Sequence, residues 1–342
     1  MKKKVIQVLK FLAFLAVGLL LLWLAFRKIN ISRLWAGLQE ANYFWIVLAL
    51  VFASFAYVSR ARRWTLLIHP LGHNPQLKNA FFAMMTGYLA NLALPRIGEI
   101  SKCVALGKKE NIPVDQLIGT VVIERAIDVL SLLVIMIAMI FIEKGILGPF
   151  IAENIYAPIH LRVIALFGST WLFWLIMLLF GVAVLFIAYR YRNRLRKVRF
   201  FSKLIDAAKG IVHGLKTIAK IERKWEFIFH TVFIWVNYSL MTWVVVFAIK
   251  STSHLDLADG LFLLVIGGLA MSAPVQSGLG VFHLIISRAL NVVYNIPVED
   301  GLVYSLLAHE SQVVFGTIVG IYSFYALVRK NNPRHTAGVP AP

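Results

Sequence analysis

Glu124, Arg125 and Asp128 place three charges within five residues of an otherwise apolar run. On a helix, Glu124 and Asp128 are four apart and share a face, and Arg125 lies near it. A charge at bilayer depth costs roughly 2.5–3.5 kcal/mol on insertion scales, so such a group is either paired or hydrated. Two readings follow: a mutually neutralising structural knot, or a polar site that binds an ionic headgroup or relays protons. Upstream, Arg96, Glu99 and Lys102 follow the apolar stretch 77–94 and lie beside Pro95 and Gly98, with Asn91 just before the proline. Proline lacks an N–H and disfavours helix at the residue before it, so the helix is expected to break there. Arg96 suits a phosphate, because a guanidinium presents a fixed fork of donors. Downstream, Gln276 and His283 flank a second break at Pro274-Val275-Gln276-Ser277-Gly278-Leu279-Gly280, and His309, Glu310 and Gln312 lie in the last apolar segment. His309-Glu310 does not extend to a zinc HExxH motif, because position 313 is Val313. With no GxSxG, no P-loop and one cysteine, Cys103, the sequence carries no recognisable catalytic motif, and no metal or cofactor is expected.

These residues must be positioned by membrane helices. The chain has 342 residues, 60% hydrophobic and 15% charged, with mean hydropathy +0.77. That balance makes it an all-α integral membrane protein with little room for a soluble domain. The net charge of +19 is read as the excess of Lys and Arg in cytoplasmic loops rather than as a nucleic-acid surface.

The expected organisation is a single polytopic domain, 1–330, with a flexible tail, 331–342. A retained first span covers 5–26, followed by an interfacial helix over 31–40. The second span, 43–59, ends in Arg60-Ala61-Arg62-Arg63-Trp64. Arg60, Arg62 and Arg63 are expected at the membrane surface, as a stop-transfer cap or as headgroup recruiters. A Pro/Gly-broken re-entrant hairpin follows, with arms 77–94 and 98–107. The third span runs to 142, the fourth covers 163–188 and the fifth 226–249. The second hairpin has arms 257–273 and 281–294, and the last span ends at 328. Between the fourth and fifth spans, apolar residues recur at helical spacing over 200–222, opposite Lys203, Lys209, Lys216 and Lys220. That is a basic amphipathic helix for an anionic leaflet.

This count of six spans and two re-entrant hairpins puts 26 Lys/Arg on the side of the N-terminus and 6 on the other, out of 35. Both termini are therefore expected to be cytoplasmic. The halves 77–142 and 257–328 also match: Asn111-Ile112-Pro113-Val114-Asp115 recurs as Asn295-Ile296-Pro297-Val298-Glu299. Each copy follows a broken hairpin and opens a long helix with polar groups about three turns in. On the charge count the hairpins enter from opposite sides, an inverted repeat of the transporter kind with a site near the midplane.

The motifs Asn91-Leu92-Ala93-Leu94-Pro95-Arg96-Ile97-Gly98-Glu99, Glu124-Arg125-Ala126-Ile127-Asp128 and Pro274-Val275-Gln276-Ser277-Gly278-Leu279-Gly280-Val281-Phe282 resemble, in that order, the flippase-like lysylphosphatidylglycerol synthase transmembrane-domain family. The resemblance implies a stand-alone membrane domain without the soluble aminoacyl transferase that some members carry. It implies a lipid flippase or transporter of the cytoplasmic membrane, moving a phospholipid or polyprenyl-linked lipid between leaflets. The alternative is a membrane enzyme, or an accessory subunit, in lipid-headgroup modification or lipid-linked glycan synthesis. The headgroup site is expected to involve Asn91, Arg96, Glu99, Lys102, Glu124, Arg125, Asp128, Gln276, His283, His309 and Glu310. His283 stands where many members have an acidic residue. Expected partners are membrane lipids and the anionic cytoplasmic leaflet, with a second copy of the chain or lipid-biosynthesis enzymes as protein partners and no nucleic acid.

Overall fold

The computed structural model describes residues 29–93, 97–142, 222–272 and 275–329, with scattered positions within 16–27 and 171–179. The first and fourth spans fall on the scattered positions. The basic helix 200–222, apart from its last residue, and the tail 331–342 lie outside the described residues, as do Arg96 and the side chain of Gln276.

The described residues form helices and no strand. A short helix, α1 (Ile31–Glu40), is capped by Asn30, whose side chain accepts from the Arg33 N–H at 3.2 Å. Asn42 caps α2 (Tyr43–Ile68) in the same way, through the Phe44 N–H at 3.1 Å. Such caps satisfy the free N–H groups of a helix start. α2 runs nine residues past the expected end at 59. The reason is apolar burial beyond the arginines: Leu66, Leu67 and Ile68 are all sealed in the core.

Two hairpins follow the expected pattern. The first pairs α3 (Leu77–Ala93) with α4 (Gly98–Glu110) and leads into α5 (Val114–Ile142). After α6 (Lys224–Val244) and a 3-10 turn, Val245–Ala248, the second pairs α7 (Leu257–Met271) with α8 (Val281–Tyr294) and leads into α9 (Val298–Val328). α4 and α8 end alike. Asn111 and Asn295 take left-handed angles, with φ of 56° and 55°. The Ile112 N–H then returns to the Gly107 carbonyl and the Ile296 N–H to that of Leu290. Both isoleucines are buried, the hydrophobic contact that accompanies such a C-terminal stop. Pro113 and Pro297 then set the chain for the next helix.

Small residues set the closest approaches. Ala49, Ala53 and Ala56 of α2 are fully buried, and α2 packs along α6. A Cβ on Gly320 of α9 would stand 2.9 Å from Leu89 Cβ and 3.0 Å from the Met85 carbonyl of α3. Interfaces of this kind, built on small side chains, bring membrane helices together by direct packing. Tyr43–Leu71, Lys224–Ala248 and Val298–Val328 are long and apolar enough to cross a membrane. α5 adds 29 residues, about 43 Å of helix. The outward faces of the long helices carry exposed apolar side chains such as Phe55, Val134, Phe141, Val232, Ile318 and Phe324. The protein is an all-α, multi-pass membrane protein.

Candidate functional site

Glu124 is 1% exposed and lies at the centre of an ion-pair cluster. Its Oε1 accepts from Arg60 Nη2 at 2.7 Å and from Arg125 Nη2 at 3.2 Å. Its Oε2 accepts from Lys102 Nζ at 2.6 Å. Asp128, one turn on along α5, accepts from Arg63 Nη2 at 2.5 Å and from Arg60 Nη2 at 3.1 Å. Glu99 closes the cluster from α4, 3.4 Å from both Lys102 Nζ and Arg125 Nε. The i, i+4 pair on α5 and the i, i+3 pair on α4 place these groups on facing helix sides. α2 contributes Arg60 and Arg63 by the same i, i+3 logic. α6 contributes Tyr238, whose hydroxyl accepts from Arg60 Nη1 at 3.0 Å.

The cluster is walled by aromatic and apolar groups. Lys102 Nζ lies 4.8 Å from the centre of the Trp64 ring, a cation–π contact, and the Trp64 indole N–H donates to Thr120 Oγ1 at 2.9 Å. Tyr57 and Tyr88 meet with ring centres 5.4 Å apart. Four cations, Arg60, Arg63, Lys102 and Arg125, face three carboxylates, Glu99, Glu124 and Asp128. Buried donors are left over: Arg60 Nε and Arg63 Nε and Nη1 have no hydrogen-bond partner.

This geometry corrects the assignment of the basic run on α2. Arg60 is 8% exposed and Arg63 is 0% exposed, so neither presents its charge outward to headgroups. Both turn inward because α2 continues past them and the α5 carboxylates neutralise them. Arg62 faces α6 instead, where its Nη2 and Nε lie 2.7 Å from Glu226 Oε1. Arg223 also holds Glu226, at 2.8 Å, and Arg62 ties two helices together. The sequence did contain a signal for this: Thr65-Leu66-Leu67-Ile68 continues the apolar helix past the arginines, which a surface cap would not need. Tyr57, Tyr88 and Tyr238 carry no signal of their own in the sequence, since aromatic residues are common throughout the chain.

Asn91 takes a structural position. Its Oδ1 accepts from the Gly98 N–H at 2.7 Å, so the last turn of α3 caps the start of α4 across the break. The arms touch directly there: a Cβ on Gly87 would stand 2.7 Å from the Gly98 carbonyl. His283, His309 and Glu310 gather in a second group on α8 and α9. His309 Nε2 lies 2.7 Å from the Ser277 carbonyl, and its Nδ1 lies 3.0 Å from Glu310 Oε1. His283 Nε2 lies 3.3 Å from the same Glu310 oxygen. Phe282 stacks on His309 with ring centres 5.0 Å apart. Tyr57, one turn before Arg60 on α2, has its ring stacked on Phe315 of α9 with centres 6.5 Å apart.

Helical hairpins packed on long apolar helices, with an ion-pair cluster centred on the buried Glu124, define an integral membrane protein with a polar cluster among its helices. The sequence profile of the lysylphosphatidylglycerol synthase TM region matches residues 11–320, and the chain belongs to that family. It is also similar to the UPF0104 membrane protein MJ1595 of Methanocaldococcus jannaschii, 22% identical over 317 residues, which cover 86% of this chain and 88% of the relative. No solved structure matches the chain.

Proposed function

We propose that the protein moves a phosphate-bearing lipid, a phospholipid or a polyprenyl-linked lipid, between the leaflets of the cytoplasmic membrane. The observation that carries this reading is the Glu124 cluster. Its centre is buried, it has one more cation than carboxylates among the described residues, and it keeps unpartnered guanidinium N–H groups on Arg60 and Arg63. A fully neutral structural knot would have no use for those donors, because each buried unmade hydrogen bond costs roughly 1–3 kcal/mol. A lipid phosphate satisfies several at once, since its oxygens accept charge-assisted and bidentate bonds. Arg96, in the break of the first hairpin, adds a further cation by its place in the sequence.

The hairpins are read as re-entrant. Their arms have 17, 13, 15 and 14 residues, short of the about 20 a crossing helix needs. Read this way, with the spans 5–26 and 163–188, the termini are cytoplasmic. Even with Arg60, Arg63 and Lys102 withdrawn as cluster members, 23 Lys/Arg on that side stand against 6. The two hairpin-and-long-helix units then lie in opposite orientations, an inverted repeat whose hairpins rock about the lipid head while the tails stay among exposed apolar side chains. With no nucleotide motif in the sequence, movement is downhill or coupled to protons.

A second reading, a membrane enzyme or accessory subunit acting on lipid heads, is favoured by the group His283, His309 and Glu310, residue types suited to acid–base or metal chemistry. One experiment separates them. The protein is reconstituted in liposomes carrying a fluorescent phospholipid in one leaflet. Transport predicts leaflet exchange that falls at least about tenfold in Arg60→Gln and Glu124→Gln, each checked for monodispersity, and in Arg96→Ala. Exchange equal to wild type in all three overturns the proposed site. A changed headgroup mass in the recovered lipid favours the enzyme.

A further inference from the structure

His309 is fixed by its hydrogen bond to a backbone carbonyl. The Ser277 oxygen can only accept, so the proton of His309 is on Nε2, 2.7 Å away. In the neutral ring Nδ1 is then a bare lone pair, and it faces Glu310 Oε1 at 3.0 Å. Two acceptors at that distance repel unless a positive centre lies between or beside them. His283 brings a third donor atom to the same place. It is 0% exposed, its Nε2 makes a long contact with Glu310 Oε1 at 3.3 Å, and its Nδ1 has no hydrogen-bond partner. A buried imidazole held by one long contact costs free energy that closer ligation removes.

We propose that His283, His309 and Glu310 form a binding site for a divalent transition-metal cation of the zinc type. Their three ligand atoms lie within 4.8 Å of one another. Ligation at roughly 2.0–2.2 Å in a tetrahedral arrangement places donors roughly 3.3 Å apart, which two of the contacts already approach. Two imidazoles and one carboxylate suit zinc better than magnesium or calcium, which prefer oxygen ligands. The bond from His309 to the Ser277 carbonyl is the outer hydrogen bond that orients a metal-bound histidine.

The fold holds these parts for a stated reason. Ser277 sits in the 3-10 turn Gln276–Gly278 with a left-handed φ of 46°, a conformation that is strained for a residue with a side chain. The turn aims its carbonyl at α9, and His283 follows in the first turn of α8. A cation bound by His283, His309 and Glu310 thus pins the broken tip of the second hairpin to the middle of α9. Phe282, stacked on His309, closes the inner side. The Glu310 side chain, 39% exposed, is the accessible side, where a fourth ligand such as water or a phosphate oxygen enters.

The test uses the full-length protein in detergent, stripped with a chelator and then given Zn2+ in competition with a chromogenic chelator. One tightly held equivalent is expected in wild type. Glu310→Gln and His283→Asn should weaken that binding at least about tenfold, and His254→Ala, at an exposed histidine away from the site, should leave it unchanged. The wild type should also gain thermal stability on Zn2+ addition. As a check that needs no variant to fold, Co2+ bound to wild type should show the visible d–d absorption of a low-coordinate nitrogen and oxygen site. Equal Zn2+ retention in Glu310→Gln and wild type overturns the proposal. So does wild type that retains no Zn2+, or that gives the spectrum of hydrated Co2+; the second group is then bridged by protons alone.

Discussion

Glu124 accepts charge from three cations while almost wholly removed from solvent. Buried ion pairs often contribute little net stability, because desolvation of the charges offsets their attraction; removing one partner is different, since it strands the others. Glu124→Gln keeps the side-chain shape but leaves Arg60 and Lys102 facing an amide. It is expected to destabilise the protein by roughly 3–5 kcal/mol, read as a lower midpoint of thermal unfolding in detergent. Adding Lys102→Met to Glu124→Gln should recover part of that loss, because the stranded ammonium is removed with its partner. A double variant no more stable than Glu124→Gln would mean that Lys102 and Glu124 are not coupled as the 2.6 Å bond indicates.

The first hairpin depends on a close contact between its arms. Gly98 has its backbone against the Gly87 carbonyl, and a Cβ there would stand 2.6 Å from the Asn91 amide. The Asn91 side chain bridges the break to the Gly98 N–H at 2.7 Å. Gly98→Ala is therefore expected to force the arms apart and to cost roughly 1–3 kcal/mol. Asn91→Ala should cost less, about 1 kcal/mol for a lost cap. Comparing the two by thermal unfolding tests this order, and Gly98→Ala matching wild type would show that the arms are free to separate. If the hairpin rocks during transport, Gly98→Ala should slow leaflet exchange more than its stability loss alone explains. At this scale the sequence is a good guide. Pro95, Gly98 and the paired Asn-Ile-Pro-Val segments mark breaks and restarts by local backbone chemistry, and α3, α4, α5, α7, α8 and α9 begin and end within a few residues of those marks.

At the scale of the whole molecule, the proposed orientation of these units rests on the distribution of Lys and Arg. The proposed topology, with both termini and the basic segment around Lys197 on the cytoplasmic side, is tested by single cysteines introduced into a Cys103→Ser background. A cysteine at Lys197 should react with a membrane-impermeant maleimide only after the membrane is opened, and one at Lys250 should react in intact cells. The reverse pattern would overturn the topology. The sequence by itself determined the all-α membrane character, the two broken hairpins and the α5 charges as members of a polar site. Each follows from properties carried by neighbouring residues: hydropathy over a helix length, proline and glycine backbone limits, and spacing of three or four. Only the tertiary structure decided that Arg60 and Arg63 belong inside the site, that Asn91 caps a helix, and that His283 meets His309 and Glu310. Arg60 and Glu124 are 64 residues apart, and Arg63 and Asp128 are 65 apart. A basic run near a span end has the same local pattern whether it faces lipid headgroups or a carboxylate on another helix. Which of these it meets depends on which helices pack together, and packing is set by the fit of small and large side chains such as Ala53, Ala56 and Gly320 across the whole fold.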